Sequence, residues 1–360
     1  MGIKLKKKDN SRFRQRFANI LQYLGKRRQQ NPPFQGVPNN IVILARECYG
    51  DSILLTPLIG SLKKEYPEIS IYIIAFSQIS FNFFRADPNV TDVYHAKRNI
   101  KRYIKQILLK KFDILFNTKD HPSTHFLIQT TLIHARHKIG HFNPDYNGLF
   151  DQLISLKPNT HESDCNISLM SAIGSPTQHC RPYLPLMPVC AETTSFLQAL
   201  HPNKYIGINI SAGKIGRHWT LQQWSELILN FPNESFIIFS SPQDLAEKRK
   251  LENPHLNVLK SPSTRNIYEV GEIVKKLKLL ITPDTSLVHI ASCSDTPLIG
   301  LYRESIYHRT RFAPLSTLHE IIVSPTQDIT DIDLKQVTAA LQNMLGNKVP
   351  SAAISEQFNP

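Results

Sequence analysis

The feature that most limits what this chain can fold into is a series of short, uninterrupted apolar runs, each followed by a turn and then by apolar residues at helical spacing. Ile41–Ala45 is one such run, with no polar residue to face solvent, as in a strand covered on both faces. A Gly50-Asp51 turn follows, and Ile53, Leu54, Leu58 and Leu62 mark one face of a helix that stops near Tyr66-Pro67. Ile69–Phe76 and Lys111–Asn117 repeat the strand signal, residues 122–135 suit a helix, and Lys138-Ile139-Gly140 begins a further short strand. This rhythm predicts α/β architecture, a parallel sheet with helices on both faces.

Prolines at 176, 182, 185, 188 and 202 predict a connection, and the rhythm then restarts. Strands are expected at Tyr205–Ile210, Ser235–Ser240, Leu256–Leu259, Leu279–Thr282 and Leu298–Tyr302, with helices over 220–230, 243–252, 266–277 and 285–293. The expected organisation is a basic amphipathic extension over 1–35, a Rossmann-like domain over 36–185, a linker over 186–203, a second Rossmann-like domain over 204–328, and a terminal helix and tail over 329–360. Two such domains facing each other leave a cleft, and ligands of these sheets gather at the carboxyl ends of the strands.

Composition narrows the classes further. A chain of 360 residues that is 41% hydrophobic can bury substantial cores and is not broadly disordered. Its longest apolar runs have strand length, well short of the ~20 residues that cross a bilayer. No apolar segment follows the basic N-terminus, so no secretory signal is expected. Five scattered cysteines, Cys48, Cys165, Cys180, Cys190 and Cys293, lack metal-ligand spacing and fit a reduced, cytosolic chain.

The net charge of +13 is uneven: residues 1–30 hold ten basic side chains against Asp9 alone. Phe13, Phe17, Ile20, Leu21 and Leu24 lie among them at helix-like spacing. A basic amphipathic helix suits an anionic membrane surface. A disordered basic tail and a helix packed on the body are the alternatives. Nucleic acid is disfavoured, because no recognisable nucleic-acid module accompanies the charge.

Three loops at predicted strand ends carry the chemistry. In the first, Arg46 to Ser52, Gly50 permits a tight turn and Asp51 falls near the helix start; Asp51 is either an N-cap or a carboxylate available as a general base. In the second, Ser211 to Trp219, the glycines let backbone approach a ligand, while Lys214 and Arg217 offer charge to phosphates; a basic surface loop is the alternative. Trp219 packs rather than stacks on a base. In the third, Thr282 to Ala291, a buried strand meets a helix N-terminus that suits an anion, with Thr285 and Ser286 as hydroxyl donors. Asp284 either caps that helix or accepts from a sugar hydroxyl, and His289 either serves the site or is a satisfied, partly buried histidine. Together the loops describe a cleft for a sugar nucleotide. Asp331-Ile332-Asp333 has the form of a metal-binding pair but opens the terminal helix, where acids favour the dipole, so no metal is assigned.

These residues resemble glycosyltransferase family 9, the lipopolysaccharide heptosyltransferase family. The resemblance rests on Gly50-Asp51 with Leu54-Leu55-Thr56-Pro57-Leu58, on Asp87-Pro88-Asn89-Val90-Thr91-Asp92-Val93, on Arg217-His218-Trp219 and on Asp284-Thr285-Ser286-Leu287-Val288-His289-Ile290-Ala291. It spans about residues 40–345 and leaves out the basic extension. Arg217 stands where the family more often has Lys, Ser286 where it usually has Gly, and Ser240 to Asp244 where it often has Gly before an acidic or polar pair.

The resemblance implies a GT-B fold and an inverting transfer of a heptose from a nucleotide-heptose, ADP-heptose, to a lipopolysaccharide or lipooligosaccharide core acceptor. It implies Asp51 as catalytic base, and Ser211, Lys214, Arg217, Asp284, Thr285, Ser286 and His289 on the donor, with Gly50 and Ser52 on the acceptor side. No metal or other cofactor is expected. The implied partners are a nucleotide-sugar donor, a lipid A-core glycolipid and the cytoplasmic surface of the inner membrane, where the chain would be peripherally bound. Another nucleotide sugar used in core, capsule or oligosaccharide assembly is the alternative within the enzyme class. A non-enzymatic membrane- or nucleic-acid-binding protein is the alternative outside it.

Overall fold

The computed structural model describes Ile20 and residues 33–346, apart from 147, 178, 179, 214 and 215. Nearly all of the basic amphipathic segment, the tail 347–360 and Lys214 lie outside the described residues.

The first sheet comprises β1 (Asn40–Ala45), β2 (Ser70–Ala75), β3 (Asp92–His95), β4 (Lys111–Asn117), β5 (His134–His141) and β6 (Gln152–Ile154) in the order β3-β2-β1-β4-β5-β6. The second comprises β7 (Tyr205–Asn209), β8 (Ser235–Phe239), β9 (Val258–Leu259), β10 (Leu279–Pro283), β11 (Leu298–Tyr302) and β12 (His319–Val323) in the order β12-β11-β10-β7-β8-β9. Every adjacent pair is parallel. Numbered from its own first strand, each sheet runs 3-2-1-4-5-6, so the chain builds the same doubly wound unit twice.

Helices lie between and after the strands. They are α1 (Tyr49–Glu65), α2 (Gln78–Arg85), α3 (Ile100–Tyr103), α4 (Thr124–Leu132), α5 (Glu162–Ala172), α6 (Ala191–Ala199), α7 (Leu221–Asn230), α8 (Leu245–Glu252), α9 (Ile267–Val274), α10 (Ser286–Ser294), α11 (Ile306–Arg311) and α12 (Leu334–Gly346). Pro57 sits inside α1, where it cannot donate to the carbonyl of Ile53. The neighbouring hydroxyl makes good the loss: Thr56 Oγ1 donates to Ile53 O at 2.7 Å. Thr56 Oγ1 then accepts from Tyr183 N at 2.9 Å, tying the helix to the segment that leads to the second sheet.

Several predicted bounds shift. β5 is eight residues long and begins at His134, so α4 ends earlier than expected. The proline-marked connection holds α6. The Asp331-Ile332-Asp333 stretch lies in a 3₁₀ turn and the link after it, and α12 starts at Leu334. The two halves are not separate bodies joined by a string. One buried apolar cluster runs from Ile41, Ile43 and Leu58 of the first half to Val288, Ile290 and Leu298 of the second. Trp219 is buried, donates from Nε1 to Ile332 O at 3.2 Å, and meets Trp224 edge-on. Among the described residues no helix is long and apolar enough to cross a membrane.

Candidate active site

In each sheet the connections leave in opposite directions between the two central strands, which opens a crevice at their carboxyl ends. The first crevice lies between the residues after β1 and those after β4. The second lies between the loop after β7 and the residues after β10.

On the first side, α1 starts at Tyr49 with Cys48 as its extended N-cap, so Asp51 stands in the first turn and is not the cap. The Asp51 carboxylate accepts the Cys48 backbone N–H. Burial pushes this carboxyl above the ordinary aspartate range; Arg46, whose Nη1 lies 3.8 Å from Asp51 Oδ1, works in the opposite direction. Arg46 is itself held by Glu162 Oε1 at Nε, and by Asp120 Oδ1 at Nη2, each at 3.1 Å. Lys119 Nζ meets Glu47 Oε1 at 3.0 Å on the outer flank.

On the second side, buried Asn209 at the end of β7 ties the two loops together. Its Nδ2 donates to Ser211 O at 3.1 Å, Thr282 Oγ1 at 2.9 Å and Thr285 Oγ1 at 3.2 Å. Thr285 caps α10, accepting from Leu287 N, so the cap is Thr285 and not Asp284. Gly216 takes a φ of 82°, a region L side chains rarely enter, and the chain turns there to deliver Arg217. The Arg217 Nη1 lies 3.2 Å from both Asp284 O and Asp284 Oδ2. His308 Nδ1 stands 3.5 Å from the same carboxylate oxygen, and Arg303 Nη2 lies 2.8 Å from His308 Nε2.

A cavity of about 710 Å³ opens beside this group, lined by Ser211, Asp244, Thr285 and Ser286, by residues 261–267, and by Tyr49 from the first half. Asp244 accepts from Ser211 Oγ at 2.5 Å and Ser241 Oγ at 2.8 Å. The cavity thus offers a carboxylate, several hydroxyls and a helix N-terminus, a set suited to sugar hydroxyls and phosphate oxygens.

The two crevices meet at Gly50. A Cβ there would stand 2.9 Å from His289 Cδ2 and 3.9 Å from Ser286 Cα. His289 is buried, and burial pushes its imidazole down to about 3, so it is neutral. It seals the contact between halves and is not among the residues that line the cavity. Ser52 is buried too, and its hydroxyl donates to Cys48 O at 3.0 Å, so it is turned into the helix and away from an acceptor. Gly50→Ala should lower stability by about 1–3 kcal/mol through overpacking. Urea melts of the two proteins check this, and coincident midpoints would refute it.

The structure therefore brings Asp51, Arg217, Asp284, Thr285 and Ser286 to one region, with Ser211 on the cavity wall. Sequence reasoning gave no role to Asn209, Asp120, Glu162 or Arg311. The first two stand at or just past strand ends, the one signal that could have marked them.

Two repeated doubly wound units, with a ligand-sized cavity beside their contact, define a GT-B protein. Compared with known proteins, residues 100–340 match the family model for glycosyltransferase family 9 (heptosyltransferase). The chain belongs to that family, and it is a glycosyltransferase. It is 25% identical over 283 residues to lipopolysaccharide heptosyltransferase 3 of Escherichia coli, covering 71% of this chain and 80% of that protein. It is 24% identical over 311 residues to the lipopolysaccharide core heptosyltransferase OpsX of Haemophilus influenzae, covering 81% and 86%. Among solved structures it resembles the family 9 glycosyltransferase of Veillonella parvula, with a TM-score of 0.68 at 18% identity over 85% of this chain and 97% of that one. It also resembles E. coli heptosyltransferase WaaC with ADP, with a TM-score of 0.65 at 14% identity over 85% and 98%.

Proposed function

We propose that the protein moves a heptose from ADP-heptose to a lipopolysaccharide or lipooligosaccharide core acceptor, with inversion at the anomeric carbon. The observation that carries this reading is the contact of Gly50 with His289 and Ser286, which sets the turn bearing Asp51 against the N-terminus of α10 at the edge of the cavity. The names of the relatives support the sugar and the acceptor class, and the ADP bound by the WaaC structure supports the nucleotide.

In this reading the diphosphate lies at the N-terminus of α10 beside Arg217, and Asp244 with Ser211 and Ser241 holds nucleoside hydroxyls. The acceptor hydroxyl enters from the first half. Asp51 removes its proton as the oxygen attacks the anomeric carbon from the face opposite the phosphate. The bond from that carbon to the phosphate oxygen breaks, and the charge left on the nucleotide is met by Arg217 and the helix N-terminus. The reading includes no metal, since these groups supply the positive potential. A pocket at the carboxyl edge of the first sheet, with Arg85, Arg98 and Arg102 among its lining residues, suits a phosphorylated acceptor, and association with the inner-membrane surface belongs to the same reading.

A panel of ADP-, UDP- and GDP-sugars incubated with crude lipopolysaccharide, read by product mass, tests it. Transfer of a heptose from ADP-heptose is expected; transfer from another donor alone would replace the substrate assignment. Because burial raises the Asp51 carboxyl, turnover should fall on acidification at a pH above that at which a free aspartate protonates. A pH profile of kcat flat to pH 4 would remove Asp51 as the base.

A further inference from the structure

Two arginines from opposite halves of the molecule share the same two carboxylates. Arg46 follows β1, and Arg311 ends α11 on the far side of the cleft. Glu162 Oε1 is ion-paired with Arg46 Nε at 3.1 Å, and Glu162 Oε2 accepts from Arg311 Nε at 2.6 Å. Asp120 receives Arg46 Nη2 on Oδ1 at 3.1 Å and Arg311 Nη1 on Oδ2 at 2.6 Å. The four side chains form a closed ring of alternating charge. Arg46, Glu162 and Arg311 are buried, where pairs of this kind interact strongly and an unpaired member is costly.

The ring leaves one edge of Arg46 over. Its Nε is ion-paired with Glu162 and its Nη2 donates to Asp120, while Nη1 faces Asp51 from 3.8 Å, beyond hydrogen-bond reach. Asp51 is thus compensated by a cation that does not occupy its lone pairs, and those that the Cys48 N–H leaves over remain for a hydroxyl proton. A second tie fixes the register between halves: His161, next to Glu162, lies with Nε2 3.1 Å from Ala313 O, two residues past Arg311. Tyr307 lies against the guanidinium of Arg311, 5.4 Å from ring centre to Cζ.

We propose that Arg311 is a positioning residue for the transfer reaction: through its ring with Glu162, Asp120 and Arg46, the nucleotide-sugar half sets the geometry and charge around Asp51 in the acceptor half. The proposal rests on the assignment of Asp51 as base. The groups facing Asp51 and the ring are Arg46 and Glu47 after β1, Lys119, Asp120 and His121 after β4, His141 at the end of β5, His161 before α5, Glu162 and Cys165 on α5, His289 on α10, and Tyr307 and Arg311 on α11. His141 and His289 are buried and pushed down to about 4 and about 3, so both are neutral near pH 7. With Arg311 present the ring is neutral. Without it, two carboxylates draw on Arg46 alone, and the carboxylate form of Asp51 loses support.

The test is kcat against pH in the full-length protein, with ADP-heptose and crude lipopolysaccharide core, for Arg311→Met, Glu162→Gln, their double variant and Asp51→Asn. Arg311→Met should be at least about tenfold slower at pH 7, with donor KM within about twofold, and its acid limb should sit about one pH unit higher, so that activity recovers on the alkaline side. Glu162→Gln removes a negative charge and should move the limb to lower pH, with no alkaline recovery. The double variant should restore the wild-type limb. Equal loss at every pH in Arg311→Met, or shifts of the same sign in both single variants, would overturn the proposal. If Arg311→Met does not fold, Glu162→Gln carries the test, and an unmoved limb there refutes it. Asp51→Asn separates the two assignments: activity in that variant defeats the base and the ring's role with it, whereas inactivity with unmoved limbs defeats the ring alone.

Discussion

Asp51→Asn should cut turnover by about 10²–10⁴-fold, the usual worth of general-base assistance, while ADP binding measured by calorimetry stays within about twofold. The separation follows from where the side chain sits. Asp51 is anchored in the first turn of α1 by the Cys48 N–H and faces Arg46, whereas the cavity walls that would hold nucleotide come chiefly from the second half. Asparagine keeps the shape and can still accept the Cys48 N–H, so the fold should survive. Near-normal kcat with an intact fold would end the role of this residue as base.

Arg217→Ala should act on the other partner. Removing a positioned donor from developing charge costs about 10²–10³-fold in turnover, and here the same group would grip the ground-state diphosphate, so ADP affinity should fall as well. Arg217→Lys tests the geometry: its ammonium keeps the charge but lacks the second terminal nitrogen, the Nη2 that lies 3.5 Å from His308 Nε2 while Nη1 meets Asp284. An intermediate rate is expected for it. Unchanged ADP affinity in Arg217→Ala would place the phosphates elsewhere.

Much of the architecture was legible in the sequence because parallel strands buried on both faces announce themselves as apolar runs. Where a strand is polar the signal fails. β5 reads His-Ala-Arg-His-Lys-Ile-Gly-His, yet its last five residues are buried; the charge of Lys138 is accommodated by donation from Nζ to Thr130 O at 2.5 Å. The helix α6 was hidden for another reason: the prolines around it mark its flanks, and its own short, hydroxyl-rich sequence gives weak periodicity. The loops that carry Asp51, Arg217 and Asp284 could be found because each follows an apolar run. Arg311 and Glu162 could not, since 149 positions separate them and neither belongs to a local motif. Only the packing of one half against the other makes them neighbours.

The apolar cluster that passes from Ile43 through Leu58 to Val288 and Leu298 bears on how the protein melts. Because both units contribute to that one cluster, they should come apart and unravel in a single cooperative transition. A nucleotide lodged mainly against one unit would then raise the melting temperature of both, so a thermal-shift screen reading a far-UV band, to which both units contribute, would sense occupancy of the site without a label placed near it.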